Sequence, residues 1–321
     1  MQKTILIITD NLPEQINGVV TTYKNIEVCA LLDNYRVVYL DPGQFRHIGC
    51  PKYNEVKITL ARKRTVGKIL EEINPDHIHI ATEGPLGLLT RQYLDSIGRK
   101  YNTAYHTKFP EGIRKLFGIP EAITWPLIRW FHKHSGKVLT TTDSMVQELR
   151  EHGFDGEIIS WTRGVDRDIF YPEDREENEQ LTLVCVSRVS KEKNLEDFFC
   201  LQYHSSKPVR KIMVGDGPMR SEYEKKFPEV EFVGFKTGIE LADYYRLADV
   251  FVFPSQWETF GLVMIEAMAC GTPVAAYPVQ GPKDVIDVGS TGYMDTNLAN
   301  AVYRCLGISR HRVWEGSQRW S

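Results

Sequence analysis

The stretch Asp249–Val274, DVFVFPSQWETFGLVMIEAMACGTPV, decides the fold of this 321-residue chain. An apolar run at Val250–Pro254 leads through a polar loop into a helical segment at Leu262–Ala269, and a glycine then separates that helix from a second apolar run at Pro273–Tyr277. Apolar runs without polar alternation indicate strands that are buried on both faces, as in parallel sheets covered by helices. The stretch therefore predicts a strand–helix–strand unit of an α/β protein.

The same alternation of apolar runs and helical segments continues along the rest of the chain, which predicts more units of this kind. Further strands are predicted at Thr4–Thr9, Tyr35–Leu40, His77–Ala81, Thr103–Tyr105, Lys137–Thr142, Leu181–Ser187, Lys211–Val214 and Val230–Val233. Further helices are predicted at Val66–Ile73, Leu86–Gly98, Trp125–Lys137 and Met145–His152.

The most polar segment, YPEDREENEQ at Tyr171–Gln180, has no apolar periodicity and is typical of a linker. A single domain usually holds about 100–150 residues, so a chain of this length suits two domains. We therefore predict an α/β domain at residues 1–170, a linker at 171–180 and a second α/β domain at 181–321. Loops at the carboxyl ends of both sheets are then expected to face a cleft that binds ligands.

Composition excludes several classes of protein. With 42% hydrophobic and 25% charged residues, the chain is neither disordered nor fibrous, and a net charge of -3 argues against nucleic acid as the main partner. The six cysteines have no CxxC spacing, so reduced core thiols are expected rather than disulfides or a zinc site. No apolar stretch approaches the roughly 18 residues of a membrane span, and the N-terminus does not resemble a signal peptide. A cytoplasmic protein is therefore expected.

Two carboxylates in the opening stretch are candidates for contact with a ligand. Glu258 lies in the loop, and Glu266 lies on the helix among apolar residues, with seven residues between the two. Because an unpaired buried charge is costly, Glu266 needs a partner, and adjacent sugar hydroxyls are suitable donors. Gly261 would let backbone N–H groups at the helix start reach a phosphate or a hydroxyl. The alternative is that both carboxylates are structural, one capping the helix and one held in a salt bridge.

Other candidates follow earlier strands of the second half. Arg188 and Lys193 could clamp a diphosphate, the guanidinium by forked hydrogen bonds and the ammonium as a point charge. Val233 and Phe235 flank a glycine turn where a flat base could lie. Each of these signals is weak when it is taken alone.

Three features of the first half are candidates as well, each with a structural alternative. Asn17-Gly18 precedes a helix and could admit a phosphate to its N-terminus, or could be a plain turn. His106 follows a strand and could donate a hydrogen bond or act as an acid or base, or could be a satisfied structural histidine. Trp125–Lys137 is basic and aromatic, with Pro126 in its first turn, and could touch anionic lipid or pack against the core.

The order of these motifs resembles that of retaining glycosyltransferases of the family-4 type, which have the GT-B fold of two Rossmann-like domains. The resemblance spans about residues 1–292 and is closest to the glycolipid-type α-mannosyl-, glucosyl- and sulfoquinovosyltransferases. It implies an α/β protein whose two parallel sheets face an interdomain cleft. The matching segments are Asn17–Val20, Ala81–Pro85, His106–Pro110, Arg129–His132, Arg163–Asp166, Ser187–Arg188, Lys193–Asn194, Val214–Pro218 and Glu258–Glu266.

The resemblance also implies roles for single residues around the transferred sugar and the phosphates. His106 would contact the sugar, and Gly18 would lie near the donor phosphates and the acceptor. Arg188 and Lys193 would bind the diphosphate and stabilise it as the leaving group.

The remaining roles concern the sugar hydroxyls and the nucleoside. Glu258 would hold sugar hydroxyls, together with backbone groups of three residues that follow it. Those three are Phe260, Gly261 and Leu262. Glu266 would hold the ribose hydroxyls, and the turn from Val233 to Phe235 would flank the nucleobase.

The implied reaction moves a hexose from a UDP-sugar, such as UDP-glucose, or from GDP-mannose to a lipid or glycan acceptor, with retention. Fixed cations beside the departing phosphate stabilise the charge that develops in the transition state. No residue is a clear nucleophile, so a same-face mechanism, in which the leaving phosphate helps to deprotonate the acceptor, is the hypothesis. Asp166-Arg167-Asp168 has the D-x-D pattern of metal-dependent transferases, but the family uses this segment structurally. Neither a metal nor a cofactor beyond the donor substrate is expected.

The chain departs from the family pattern at two places. Lys108 stands where many close relatives have an acidic residue, which affects the expected acceptor contacts. Relatives usually continue past a segment like that around Trp320 into a helix that crosses back to the first domain, and this helix is expected to be missing.

Two other functions remain open, a non-catalytic nucleotide-sugar-binding protein and a transferase for modified phage DNA. Peripheral contact with the inner membrane face through residues 125–137 is a further hypothesis, and nucleic acid is disfavoured.

Overall fold

The structure is a computed structural model that describes residues 2–15, 17–50, 53–176, 178–203 and 207–320. The chain divides into two units, Met1–Thr162 and Arg163–Ser321, each with its own sheet and its own core.

The first unit is built on a six-stranded parallel sheet in the order β2-β1-β5-β6-β7-β8, with β3 and β4 as a separate antiparallel pair. Its strands are β1 (Lys3–Ile8), β2 (Tyr35–Leu40), β3 (His47–Cys50), β4 (Tyr53–Thr59), β5 (His77–Ile80), β6 (Asn102–Tyr105), β7 (Lys137–Thr140) and β8 (Glu157–Ser160). Its helices are α1 (Gly18–Leu32), α2 (Lys63–Ile73), α3 (Pro85–Ile97), α4 (Phe109–Phe117), α5 (Glu121–His132) and α6 (Asp143–Glu151).

The second unit has a six-stranded parallel sheet in the order β11-β10-β9-β12-β13-β14. Its strands are β9 (Leu181–Val186), β10 (Val209–Val214), β11 (Val230–Gly234), β12 (Val250–Phe253), β13 (Val274–Ala276) and β14 (Gly292–Met294). Its helices are α7 (Glu196–Phe199), α8 (Arg220–Lys226), α9 (Gly238–Leu247), α10 (Leu262–Ala269), α11 (Gln280–Val285), α12 (Leu298–Cys305) and α13 (Arg310–Gly316).

Both sheets contain a point where the order of the strands reverses. In the second unit, β10 and β11 lie on one side of β9, whereas β12, β13 and β14 lie on the other. In the first unit, β2 lies on one side of β1, and β5 to β8 lie on the other. Loops from neighbouring strands diverge at such a point and leave a crevice at the carboxyl ends of the strands, where α/β folds bind ligands.

The central strands of the second unit are apolar because both of their faces are covered. Every residue of β9 and β12 is buried. One core cluster contains Val184, Phe251 and Ile265, and the cluster on the opposite face contains Leu183, Val252 and Phe198. The predicted α/β class with parallel, helix-covered sheets is confirmed.

Some elements differ from the sequence prediction. The pair β3–β4 and the outer strands β8 and β14 were not predicted. Three of them, β3, β8 and β14, have only three or four residues and carry little periodic signal, and the seven-residue β4 has no continuous apolar run. The helix predicted at Trp125–Lys137 is wrong in its bounds, since α5 runs from Glu121 to His132 and Pro126 lies in its interior. Lys137 belongs to β7 instead.

The segment that was predicted as a linker is held by the second unit. Arg175 and Asn178 both donate hydrogen bonds to the Asp249 carboxylate. Upstream of the predicted boundary, Phe170 packs in the second core, and the Val165 N–H donates to the Trp320 carbonyl at 2.9 Å. These contacts explain why the division falls after Thr162 rather than near residue 170.

The five cysteines whose side chains the structure describes divide into two groups, and the expectation for the Cys50 thiol lies outside the described residues. Cys185, Cys270 and Cys305 are buried free thiols, and burial raises the pKa of Cys270 and of Cys305 to about 12. The expectation of core thiols is wrong for Cys29 and Cys200, which are exposed. Within the described ranges, every helix is too short or too polar to cross a bilayer.

Candidate active site

The reversal point of the second sheet brings together a cation and a carboxylate that lie far apart in the sequence. Lys193 lies in a 3₁₀ turn after β9, and Glu258 lies in the loop after β12. Because these two strands are neighbours, Lys193 Nζ lies 3.0 Å from Glu258 Oε2. The second oxygen, Glu258 Oε1, accepts the N–H of Thr259 at 3.1 Å. Glu258 is therefore part of an ion pair and does not cap α10, which begins at Leu262.

Arg188, which precedes Lys193 in the segment after β9, has an acidic neighbour of its own. Its Nη1 lies 3.5 Å from Glu192 Oε1, and the Ser190 hydroxyl donates to that oxygen at 2.6 Å. Burial opposes ionisation of Glu192, but the Ser190 hydroxyl, its own N–H and the charges of Arg188 and Lys193 together lower its pKa. Sequence reasoning missed Glu192, although it lies between the two predicted cations in the same segment. An anionic ligand here competes with Glu192 and Glu258 for these cations.

The start of α10 has a backbone that only glycine adopts easily. Gly261 has φ +86°, and a Cβ at this position would lie 2.7 Å from Met264 Cε. Phe260 is buried, whereas Leu262 is partly exposed. As far as the chain is described, no side chain caps the N–H groups of this helix start. These donors suit an anionic or hydroxyl ligand.

The Glu266 carboxyl is desolvated and has a protein partner. The Tyr245 hydroxyl donates to Glu266 Oε2 at 2.8 Å. The side chain keeps partial solvent access, but burial of the carboxyl group raises the pKa of Glu266 to about 7 despite this hydrogen bond. The predicted need for a partner is met by Tyr245 on α9, which the sequence did not identify. The other carboxyl oxygen can accept further hydrogen bonds, because a carboxylate accepts on both oxygens.

An aromatic side chain marks the carboxyl end of β11. Gly234 has φ +77°, which turns the chain after Val233, and the Gly215 N–H donates to the Gly234 carbonyl at 2.8 Å. Val233 is partly buried, and Phe235 is 44% exposed. An exposed ring at this edge offers a flat apolar surface for stacking.

In the first unit, His106 is buried within a cluster of aromatic and imidazole rings. It follows β6, and its Nε2 lies 2.7 Å from the Tyr23 hydroxyl. The same hydroxyl lies 2.7 Å from Nε2 of His79, and Trp161 packs against all three rings. Sequence reasoning identified His106 but missed the other three, which come from separate elements.

The start of α1 is capped by the side chain that precedes Gly18. Gly18 is the first helical residue, but the Asn17 side chain accepts from the N–H groups of Val19 and Val20 at 3.1 and 3.0 Å. The Asn17 cap thus occupies two donors of this helix start, and the place of Gly18 near the donor phosphates stays a prediction.

At the reversal point of the first sheet, the side chain of Asp10 contacts the start of α3. Its carboxylate accepts from the N–H groups of Leu86 and Gly87 at the start of α3, and from the Thr82 hydroxyl. A Cβ on Gly84 would lie 2.3 Å from Asp10 Cγ. Burial raises the pKa of Asp10 to about 6. This helix N-terminus is thus occupied by a carboxylate of the protein itself.

The D-x-D string has local structural contacts. Asp166 Oδ1 accepts the N–H of Asp168 at 3.0 Å, and Arg167 donates to the hydroxyl and the carbonyl of Ser317. Among the residues that the structure describes, no three histidine, cysteine or acidic side chains are grouped so as to hold a metal ion.

Family models match most of the chain. "Glycosyltransferase Family 4" matches residues 26–169, and "Glycosyl transferases group 1" matches residues 180–307. Sulfoquinovosyl transferase SQD2 of Arabidopsis thaliana is 30% identical over 78% of this chain and 52% of its own length. A GDP-mannose-dependent alpha-mannosyltransferase of Corynebacterium glutamicum is 30% identical over 78% of this chain and 65% of its own length. The chain thus spans between half and two thirds of these curated relatives.

Solved structures of low sequence identity share the fold. Sucrose-phosphate synthase from Thermosynechococcus elongatus has a TM-score of 0.77 at 20% identity, over 98% of this chain and 92% of that one. Anabaena HepE in complex with UDP and glucose has a TM-score of 0.72 at 16% identity, over 99% of this chain and 96% of that one. Together with the two parallel sheets, these matches confirm the predicted fold class, and the chain belongs to the family-4 glycosyltransferases with the GT-B fold.

Proposed function

We propose that this chain is a retaining hexosyltransferase that uses a UDP-sugar or GDP-mannose and a lipid or glycan acceptor. The observation that carries the proposal is the contact between Lys193 and Glu258 at the reversal point of the second sheet, with Arg188 in the same segment as Lys193. Fixed cations and a hydroxyl-binding carboxylate in one place suit a substrate that joins a diphosphate to a sugar. The names of similar proteins support it. One relative is named as a GDP-mannose-dependent alpha-mannosyltransferase, and one similar solved structure is a complex with UDP and glucose.

In this proposal, the donor lies along the carboxyl edge of the second sheet. Arg188 and Lys193 bind the diphosphate, and Glu258 binds sugar hydroxyls together with the backbone at Gly261. Glu266 accepts from the ribose hydroxyls, and Phe235 lies beside the base. For the first unit, the family resemblance implies that His106 contacts the sugar and that Gly18 lies near the phosphates.

The cations contribute most where charge develops. As the anomeric carbon becomes oxocarbenium-like, negative charge moves onto the departing phosphate, and prepositioned donors stabilise that state more than the ground state. Retaining glycosidases use a carboxylate nucleophile. Here Glu258 is engaged by Lys193, so we propose the same-face route, in which the leaving phosphate accepts the acceptor proton.

A donor screen with mass detection tests this function. UDP-glucose, UDP-galactose and GDP-mannose are each incubated with the full chain, and released nucleotide diphosphate and transferred hexose are measured. Release of diphosphate from one donor, together with hexose transfer in the α configuration, supports the proposal. Tight donor binding without turnover against lipid and glycan acceptors contradicts it and favours the non-catalytic alternative.

Turnover is expected to be unchanged by EDTA. Because two fixed cations, Arg188 and Lys193, neutralise the leaving diphosphate in this proposal, a divalent ion has no necessary task. The measurement is the initial rate of diphosphate release with EDTA and with added Mg²⁺ or Mn²⁺, using the donor that the screen identifies. Loss of the rate in EDTA and its recovery with either metal would show that the site needs an ion.

We also propose that the α4–α5 region binds an anionic membrane surface from the cytoplasmic side. Five large apolar side chains are exposed there, and four cations lie among them. The apolar residues are Phe117, Ile119, Ile123, Leu127 and Trp130, and the cations are Arg114, Lys115, Arg129 and Lys133. Apolar groups that insert and cations that attract lipid headgroups are the two requirements of an interfacial surface.

Replacing Ile123 and Leu127 with serine is expected to reduce binding to anionic vesicles at least about tenfold, because each buried CH₂ contributes about 0.8 kcal/mol. The measurement is co-sedimentation with phosphatidylglycerol vesicles at low and high salt. Ile239→Ser is the matched control, since Ile239 is equally exposed, at 64% against 64% for Ile123, but lies in the second unit. Equal binding of the double variant and the control contradicts the membrane proposal.

A further inference from the structure

A single phenol hydroxyl bridges two imidazoles in the first unit. Tyr23 on α1 lies 2.7 Å from Nε2 of His79 on β5 and 2.7 Å from Nε2 of His106 after β6. Tyr23 is 3% exposed and His106 is 7% exposed, so their contact is shielded from bulk water, whereas His79 is partly exposed. The arrangement joins helix α1, strand β5 and the segment after β6 through one oxygen atom.

Each contact of this length needs a hydrogen atom between its two heavy atoms, because two lone pairs at 2.7 Å repel one another. The Tyr23 hydroxyl has one hydrogen and can donate it to only one imidazole. If it donates to one Nε2, the other ring must carry its own hydrogen on Nε2 and donate to the Tyr23 oxygen. A neutral imidazole has a single N–H, so the two rings then hold opposite tautomers.

We propose that Tyr23 and His79 are positioning residues that fix the tautomer of His106. The ring that accepts from Tyr23 has its hydrogen on Nδ1, and the ring that donates to Tyr23 has a lone pair there. His79 thereby determines whether Nδ1 of His106 presents a donor or an acceptor. The consequence for a bound sugar rests on the function proposed above, whereas the coupling of the two rings is a property of the free protein.

The surroundings hold the bridge in place. The Trp161 ring lies 6.2, 6.4 and 6.1 Å from the rings of Tyr23, His79 and His106, measured between centroids. The Tyr39 hydroxyl donates to the Tyr23 carbonyl at 2.9 Å and anchors its backbone. A side chain that is packed and hydrogen-bonded in this way holds one geometry, which a fixed tautomer requires.

Nitrogen-15 NMR of the histidine rings in the free 321-residue chain at pH 8 tests the coupling directly. The expected result is opposite tautomers, with Nε2 protonated in one of His79 and His106 and Nδ1 protonated in the other. The same tautomer in both rings overturns the proposal. In Tyr23→Phe the bridge is lost, and the ring signals of His106 are expected to move toward those of an unconstrained imidazole. Unchanged signals overturn the proposal as well.

Matched variants separate this role from simple packing. Tyr39→Phe removes a hydroxyl that also bonds Tyr23 but does not touch the imidazoles, so it is expected to leave the His106 signals unchanged. His79→Gln places an amide near the position of Nε2, whereas His79→Leu has no polar atom. The glutamine variant is expected to keep a single His106 tautomer, and the leucine variant is expected to force the hydrogen of His106 onto Nδ1. If His106 in His79→Leu keeps its hydrogen on Nε2, the coupling is refuted even if Tyr23→Phe does not fold.

The kinetic consequence is measured with the donor found in the screen. Loss of the bridge in Tyr23→Phe is expected to lower kcat at least about tenfold, as for other partners that orient a functional imidazole, with donor KM changed less than kcat. A rise in KM alone, with kcat unchanged, contradicts a role in orienting His106. If the wild-type chain turns over no donor, the proposed function fails, but the NMR result still decides whether the rings are coupled.

Discussion

Lys193→Ala is expected to lower kcat for hexose transfer by about 10²–10³-fold, because a prepositioned donor at a developing negative charge contributes that much in a water-excluded site. Lys193 Nζ lies 3.0 Å from Glu258 Oε2 and so joins the segment after β9 to the carboxylate that is predicted to hold the sugar. Removing the ammonium takes away leaving-group stabilisation and leaves Glu258 without its cation. The measurement is the rate of diphosphate release at saturating donor.

The matched control is Lys191→Ala. Lys191 belongs to the same 3₁₀ turn and carries the same charge, but its side chain is exposed. It is expected to keep kcat within about threefold, since an exposed charge contributes little. If Lys193→Ala is as active as the control, the assignment of the diphosphate site is wrong, whereas the fold assignment stands.

The substitution Glu258→Gln tests whether Lys193 and Glu258 act together. Residues in direct contact show non-additive effects, so the double variant with Lys193→Ala is expected to lose less activity than the product of the two single losses. Strict multiplication of the losses would mean that the two residues act independently, despite the 3.0 Å between Nζ and Oε2.

The sequence was sufficient for the fold because the strands of the second sheet are buried on both faces. Runs such as those in β9 and β12 are apolar throughout, and helix α10 was predicted with the bounds that the structure shows, Leu262–Ala269. The strands β8 and β14 lie at sheet edges and are short, so their sequences carry neither a long apolar run nor clear alternation. Helix α5 was misplaced because an interior proline resembles a helix start.

Contacts within the candidate site were harder to predict than its residues. The motif order named Lys193 and Glu258, but only the pairing of β9 with β12 places them side by side. Tyr245 and Tyr23 carry no motif, since each acts through a single hydroxyl that the fold delivers from another helix. The Asn17 cap at α1 was equally hidden, because Asn-Gly is compatible with both an open and a capped helix start.

The unfolding free energy of the wild-type chain is expected to carry a pH-dependent penalty from Glu266. Burial raises its pKa from 4.5 to about 7 in the folded chain. Between these two values the folded state binds more protons than the unfolded state, so the unfolding free energy falls as pH rises through this window. One pKa unit corresponds to about 1.4 kcal/mol, so above pH 8 the full penalty is about 3 kcal/mol.

Glu266→Gln removes this titration and keeps an oxygen for the Tyr245 hydroxyl. The variant is therefore expected to be about 3 kcal/mol more stable than the wild type at pH 8, but less than about 1 kcal/mol more stable at pH 5. Thermal unfolding across this range measures the difference. The quantity to compare is the difference in unfolding free energy between the wild type and the variant at each pH. Asp10, with a pKa of about 6, titrates in the same window in both proteins, so its contribution cancels in this difference. A constant offset at every pH would contradict a raised pKa of Glu266.

The same substitution is expected to weaken donor binding by about 10–100-fold, since hydrogen bonds from ribose hydroxyls to a charged acceptor contribute about 1.5–3 kcal/mol. A gain in stability with a loss of binding is the signature of a ligand-binding group that is costly in the free protein. Tyr245→Phe is the control, because it removes the hydroxyl that stabilises the ionised form and is expected to raise the pKa of Glu266 further. Titration calorimetry with UDP or GDP measures the affinity, and unchanged binding in Glu266→Gln would remove Glu266 from the donor site while leaving its effect on stability intact.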